Sequence, residues 1–353
     1  MREFGSEHPT IQLPDGYFEG LEKYGRELTY LRTGREALMY ASCNCKPEKE
    51  AVILCPAYCC WSMTAPFEFT GWTVKYYRLN EDLTIDEDYL EDLLRVCRPD
   101  AVLTMNFYGS ASTQSAIAKV KAYDEKVTVI EDFSHCTFCL DKIYDERVDF
   151  YVTSIRKSVG VCDGALVMSK KPTNRHYIGS EAPEFASLRL GAQQQKAEYS
   201  LTKLTEGKNI FLALLRQGEE MIDKLDGVHP MSTMSFKMLK ILDGRGIASA
   251  RRENIKHLWR LLNGKVKMVN GLERSFDGAP FSLPILVDNR DGVQRSLAQK
   301  GVYAPVLWPI CNEARETCPV SARMADRMLS IPIDQRYNYD DIEDIAKIIL
   351  ETI

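Results

Sequence analysis

Short, continuously apolar runs recur along the first half of the chain: Ala51–Cys55, Trp72–Tyr77, Ala101–Met105, Val127–Ile130, Phe150–Thr153 and Gly164–Met168. Runs this short, rich in Val, Ile and aromatic residues, suit strands covered on both faces. Pro56 stops the first of them, because proline has no N–H to give to a ladder. Between the runs lie helical patterns, Asp86–Arg95 and Thr113–Asp124, the second with an Ala/Ile/Val stripe. Alternating strands and helices predict an α/β domain built on a mainly parallel sheet.

The second half differs. Residues 193–262 read as helix-rich; Phe281–Val287 follows as a strand, Asp291–Lys300 as a helix and Tyr303–Trp308 as an extended segment. Tyr339–Ile353 closes the chain as an amphipathic helix with acidic first turns, where the helix dipole favours them. A length of 353 residues suits two domains. The expected division is a large α/β domain with an N-terminal arm over residues 1–220 and a small α+β domain over 221–353.

Lys plus Arg number 45 against 50 Asp plus Glu, a net charge of −5. That balance disfavours a nucleic-acid or anionic-membrane binder, which needs a basic surface. The odd count of 11 cysteines does not fit a small secreted disulfide framework. Met1–His8 has no apolar core of signal-peptide type, and no stretch is long enough to span a bilayer. The expected compartment is the reducing cytoplasm. Cys136-Thr-Phe-Cys139 has CxxC spacing, but no second Cys/His pair completes a zinc site. Packing thiols are the simpler reading, and no metal is expected.

Ligands of α/β sheets bind beyond the carboxyl ends of the strands. One such end runs into Glu131-Asp132-Phe-Ser-His135 and another into Ser154-Ile-Arg-Lys157, while Thr33-Gly34 opens a helix before the first run. Each alone has a plain explanation: Asp132 as a helix cap, Lys157 as a solvated cation, Thr33 as a cap without a ligand. Together they meet the needs of pyridoxal phosphate. That cofactor requires an amine for a Schiff base, an acid for its pyridine nitrogen and a phosphate cradle. A helix N-terminus with a small residue is such a cradle. A nicotinamide Rossmann site is disfavoured, because no GxGxxG follows the first strand.

The same segments resemble the DegT/DnrJ/EryC1/StrS family of fold-type I pyridoxal-phosphate-dependent aminotransferases. Cys55-Pro-Ala-Tyr-Cys-Cys60 is similar to the family's Val-Pro-Ala-Tyr/Phe-Thr, and Phe107-Tyr-Gly109 to its apolar-Tyr-Gly step. Ile130-Glu-Asp-Phe-Ser-His135 resembles Ile-Glu-Asp-Ala-Ala-His/Gln, and Ser154–Gly164 resembles the lysine segment. Leu329-Ser-Ile-Pro-Ile-Asp-Gln-Arg-Tyr337 is similar to the C-terminal Leu-Ser-Leu-Pro-Ile-Asp-Gln-Arg-Tyr.

The resemblance implies roles. Lys157 would be the Schiff-base lysine and proton carrier, and Asp132 the partner of the pyridine nitrogen. His135 would bond the ring's 3-oxygen. Gly34 and Arg35 would hold the phosphate, with Ser154 a further contact. Trp61 or Tyr58 would cover the ring face, with plain core packing as the alternative for either. The implied activity is transfer of an amino group from a glutamate-like donor to a keto-sugar, expected to be nucleotide-linked, in a homodimer. A dehydratase, which in this family carries histidine in place of the lysine, and a non-catalytic cofactor binder are the alternatives.

The chain also departs from the family. Residues 170–220 hold no Gly-Tyr-Asn-x-Arg motif, and Leu188-Arg-Leu-Gly-Ala-Gln-Gln-Gln195 is no clear replacement. Arg189 is a candidate substrate or phosphate contact. Arg156 stands beside the lysine where many relatives carry an uncharged residue, and a second cation there favours the free amine.

Overall fold

The computed structural model describes residues 17–110, 112–202 and 204–353; the expected N-terminal arm and the Met1–His8 segment lie outside them. Strands β1 (Glu27–Leu31), β2 (Ala51–Pro56), β3 (Trp72–Tyr77), β4 (Ala101–Met105), β5 (Thr128–Asp132), β6 (Phe150–Thr153) and β7 (Ala165–Ser169) form one sheet, ordered β1-β7-β6-β5-β4-β2-β3. Strands β2 to β6 pair in parallel, while β7 runs antiparallel to both β6 and β1. The expected parallel sheet is therefore present with one antiparallel insertion. Every residue of β4, β6 and β7 is buried, as continuous apolar runs demand.

β1 was not anticipated from the sequence. Its burial alternates and includes a half-buried Glu27 and Thr29-Tyr30, so it lacks the apolar continuity that marks the inner strands. Its register against β7 pairs Leu31 with Ala165.

Helices α1 (Gly34–Cys45), α2 (Trp61–Phe69), α3 (Glu87–Cys97), α4 (Gln114–Tyr123) and the short α5 (Leu140–Ile143) connect these strands. After β7 come two long helices, α6 (Pro183–Thr202) and α7 (Thr205–Ile222), packed together as a hairpin. Then follow α8 (Thr233–Leu239) and α9 (Gly244–Leu262).

A second core, drawn from residues 255–349, is separate from the main one. It surrounds an antiparallel pair, β8 (Ser282–Leu286) with β9 (Met328–Pro332). Helices α10 (Arg290–Gln299), α11 (Asn312–Thr317), α12 (Pro319–Arg327) and α13 (Tyr339–Leu350) complete this half. α13 opens with a capping box between Asn338 and Asp341, which satisfies two free donors of its first turn. Residues 303–308 are extended, as read from the sequence, without ladder pairing, and β9 is the partner of β8. Trp308 turns its ring to the main core, 5.4 Å from His135 and 5.4 Å from Tyr58.

Candidate active site

The carboxyl ends of β5 and β6 and the start of α1 meet at one cleft, lined by Thr33, Gly34, Arg35, Asp132, Ser154 and Lys157 among others. Its cavity volume is about 120 Å³. Five of the sequence-derived candidates, Gly34, Arg35, Asp132, Ser154 and Lys157, thus share a single wall-to-wall site. Ser62, Met63, Ser134, Arg156 and Glu219 complete its lining with Leu38.

Asp132 is the last residue of β5 and is buried. Its Oδ1 accepts the Ser134 N–H at 2.8 Å. Burial pushes its carboxyl above the usual carboxylate range, while the Lys157 charge and the Ser134 hydrogen bonds pull it back down. Such a carboxylate gains by acquiring a cationic partner. Its neighbour Glu131 points to the opposite face, as strand alternation requires, and takes a 2.6 Å hydrogen bond from Thr113 Oγ1.

Lys157 ends a single helical turn, Ile155–Lys157, directly after β6. That turn is tied down on several sides. Ser154 N–H donates to Ser134 Oγ at 2.9 Å, and Arg156 N–H to the Gly164 carbonyl at 3.2 Å. Gly164 has φ +146°, a backbone conformation that glycine adopts without strain. Asp163 fixes the far end of the loop, accepting from Ser232 N–H at 2.8 Å and Ser232 Oγ at 2.7 Å. Arg251 Nη2 and Gln335 Nε2 both donate to the Ser158 carbonyl, at 3.2 and 3.1 Å. Arg251, fully buried, was not foreseen; a cation inside a helix of mixed composition carries no sequence signal for a contact some ninety residues away.

α1 begins at Gly34, where Thr33 caps the helix and Glu36 reaches back to Thr33 Oγ1 at 3.2 Å. Gly34 and Arg35 of this first turn line the cleft together with Ser154. A Cβ on Gly34 would lie 2.9 Å from Ser154 Cβ, so the close approach itself excludes a side chain. Glu36, Asp226 and His229 lie close enough together for a metal. However, Arg32 already bridges Glu36 at 2.7 Å and Asp226 at 3.2 Å, and the group is an ion-pair network that anchors the start of α1.

The remaining candidates stand differently. His135 is buried behind the cleft, stacked on Phe281 at 5.5 Å and on Trp308. Burial and the Lys157 charge push its pKa down to about 3, so the ring is neutral, and its Nδ1 is buried without a hydrogen-bond partner. Trp61 does not line the cleft. It opens α2 with half its surface exposed and lies 5.8 Å from the Arg35 guanidinium. Tyr58 is fully buried and its hydroxyl donates to Met328 Sδ at 3.0 Å. Arg35 reaches the cleft, but its guanidinium turns to Asp223 at 2.6 Å. Arg156 forks onto Glu219 of α7 at 3.0 and 3.3 Å, so the cation beside Lys157 is counterbalanced from the helical hairpin.

These residues fit pyridoxal phosphate on three observations: a helix start too tight for any side chain, a buried carboxylate at the floor, and an orphaned imidazole nitrogen beside it. An amine is supplied from the adjoining turn.

A scan of protein-family models finds no match to this sequence, and a search of curated proteins finds none. Among solved structures the fold has many counterparts. PseC of Helicobacter pylori, an aminotransferase involved in the biosynthesis of pseudoaminic acid, shares 14% identity over 99% of both chains, with a TM-score of 0.66. Spr1654 of Streptococcus pneumoniae, a putative sugar aminotransferase in its PLP form, shares 11% identity over 99% of this chain and 100% of that one, with a TM-score of 0.67. A DegT DnrJ EryC1 StrS aminotransferase from Brucella abortus shares 17% identity over 94% of this chain and 87% of that one, with a TM-score of 0.59. Likeness at these identities establishes a shared fold over nearly the whole chain.

Proposed function

We propose that this protein is a pyridoxal-phosphate-dependent aminotransferase that moves an amino group from an amino acid such as glutamate to a keto-sugar, nucleotide-linked in its preferred form. The observation that carries this reading is the convergence of Lys157, Asp132 and the Gly34 helix start on one cleft. The sugar substrate is supported by the likeness to PseC, an aminotransferase of pseudoaminic acid biosynthesis, and to the sugar aminotransferase Spr1654.

When bound, the cofactor supplies an electron sink for charge developing on the substrate carbon. The chain's own residues do the rest. Asp132 would keep the pyridine nitrogen protonated, and the neutral His135 would offer its free Nδ1 to the ring oxygen. Gly34, with the N–H groups of the first α1 turn, and Ser154 would hold the phosphate. Lys157 Nζ would carry the proton between the cofactor and the substrate carbon. Its turn is held from both ends, which fixes the amine over the site.

We take the working unit to be a homodimer in the cytoplasm. Exposed apolar side chains at Trp61 and Phe69 on α2, and at Leu201 and Leu204 near the tip of the hairpin, support a subunit contact. All eleven cysteines are free, which suits a reducing compartment. Among the described residues no helix is long and apolar enough to cross a membrane.

Purified protein given pyridoxal phosphate should develop an absorbance band at roughly 400–430 nm. Lys157→Ala should abolish the band, and glutamate should bleach it in the wild type. Failure of the wild type to develop any band would overturn the reading.

A further inference from the structure

Three arginines from separate segments converge at the edge of the cleft. Arg35 comes from the first turn of α1, Arg156 from the lysine turn and Arg189 from α6. All three reach one carboxylate, Glu219 on α7, which itself lines the cleft beside Gly34, Ser154 and Lys157. Arg156 holds it through two hydrogen bonds of 3.0 and 3.3 Å. Arg189, almost wholly buried, approaches to 3.7 Å and Arg35 to 4.0 Å. Asp223, the residue that caps the end of α7, pairs with Arg35 at 2.6 Å. Burial opposes charge on Glu219, yet Arg156, Arg189 and Arg35 together hold its carboxyl below the usual range.

One carboxylate offers two oxygens to three guanidinium forks. Arg35 Nε is buried with no hydrogen-bond acceptor, so the cluster has donor capacity that Glu219 leaves unused. A phosphate monoester carries more charge and three acceptor oxygens, and it pairs with guanidinium groups in the same bidentate way. Arg35 follows Gly34 in the first turn of α1 and lines the same cleft as Gly34 and Ser154. The anion that α7 supplies and the anion that the cradle is shaped for therefore address the same donors.

We propose that Glu219 is an internal anion that competes with the cofactor's phosphate, giving up Arg35 and Arg156 when a phosphate monoester enters beside Gly34 and Ser154. This rests on the reading of the cleft as a pyridoxal phosphate site. It makes α7 the element that sets phosphate affinity, and the α6–α7 hairpin a cover that must loosen on one side as the cofactor seats.

The test is Glu219→Gln, which keeps shape and removes charge. Apoprotein is titrated with pyridoxal phosphate and, separately, with pyridoxal, following the visible band. Glu219→Gln should bind pyridoxal phosphate roughly tenfold more tightly than the wild type while pyridoxal binding is unchanged. A thermal-shift titration with inorganic phosphate should show stabilisation of the variant at lower phosphate concentration. Equal ratios of pyridoxal phosphate to pyridoxal affinity in both proteins would overturn the proposal, and so would weaker phosphate binding by the variant. Should Glu219→Gln fail to fold, Glu219→Asp withdraws the carboxylate by one methylene and should move the ratio in the same direction by a smaller factor. An absent band in the wild type sinks the cofactor reading instead, and the inorganic-phosphate arm still decides the competition.

Discussion

Gly34 and Ser154 touch across the cleft: a Cβ on the glycine would stand 2.9 Å from Ser154 Cβ and 3.3 Å from its Oγ. The first turn of α1 and the end of β6 are thus pressed together where an anion would be cradled. The contact joins elements more than a hundred residues apart in sequence.

Gly34→Ala should therefore force the helix start away from Ser154. Overpacking of this kind costs roughly 1–3 kcal/mol, and here the cost falls on the cradle. Pyridoxal phosphate affinity, read from the visible band, should fall by about tenfold, with secondary structure by circular dichroism unchanged. Unaltered affinity would place the phosphate elsewhere.

Asp132→Asn keeps the hydrogen bond from Ser134 N–H, because an amide oxygen can still accept it. It removes the negative charge that would hold a proton on the pyridine nitrogen. The band should still form, while the single-turnover rate of bleaching by glutamate falls by roughly 10²–10⁴. Equal rates in both proteins would remove Asp132 from the chemistry.

Arg251 bolts the lysine loop to the second half of the chain. It donates to Ser158, Pro280 and Phe281 carbonyls and to Gln335 Oε1. Its burial pushes its pKa down to about 10, and the hydrogen bonds compensate for that desolvation. Arg251→Met takes a donor from each of these acceptors and leaves the Ser158 carbonyl only its bond from Gln335 Nε2, so urea unfolding should show a loss of about 2–4 kcal/mol. Because Ser158 adjoins Lys157, the variant should also lose cofactor faster on dialysis.

Glu131 gives a pH signature. Burial raises its pKa from 4.5 to about 7 in the folded chain, against hydrogen bonds from Thr113 and Asn106 that lower it. Between those values the folded state binds more protons at this site than the unfolded chain does. Its contribution is thus fully present below about pH 4.5 and is lost as pH rises through about 7. Glu131→Gln should remove that dependence. The stability gap between variant and wild type, from denaturant melts, should widen in the variant's favour from pH 5 to pH 8 by about 1–3 kcal/mol.

By itself the sequence determined the architecture of the main sheet and the chemistry it presents. Strands buried on both faces must be continuously apolar, so β2 to β7 were legible as runs, and the polar residues at their ends stood out against them. Asp132, Ser154 and Lys157 were found because they interrupt such runs at the ends where ligands bind. β1 escaped because its alternating, part-polar pattern carries no such contrast. Helical patterns likewise marked α3, α4 and α13 within a few residues. Tertiary structure alone decided what the arginines do. Nothing local to Arg35, Arg156 or Arg189 says that their charges meet on Glu219, since the pairing depends on how the α6–α7 hairpin folds back over α1 and the lysine turn. The same holds for Arg251 and Ser158, and for His135 between Phe281 and Trp308. Periodicity records which face of an element is buried; it does not record which distant side chain will be waiting there.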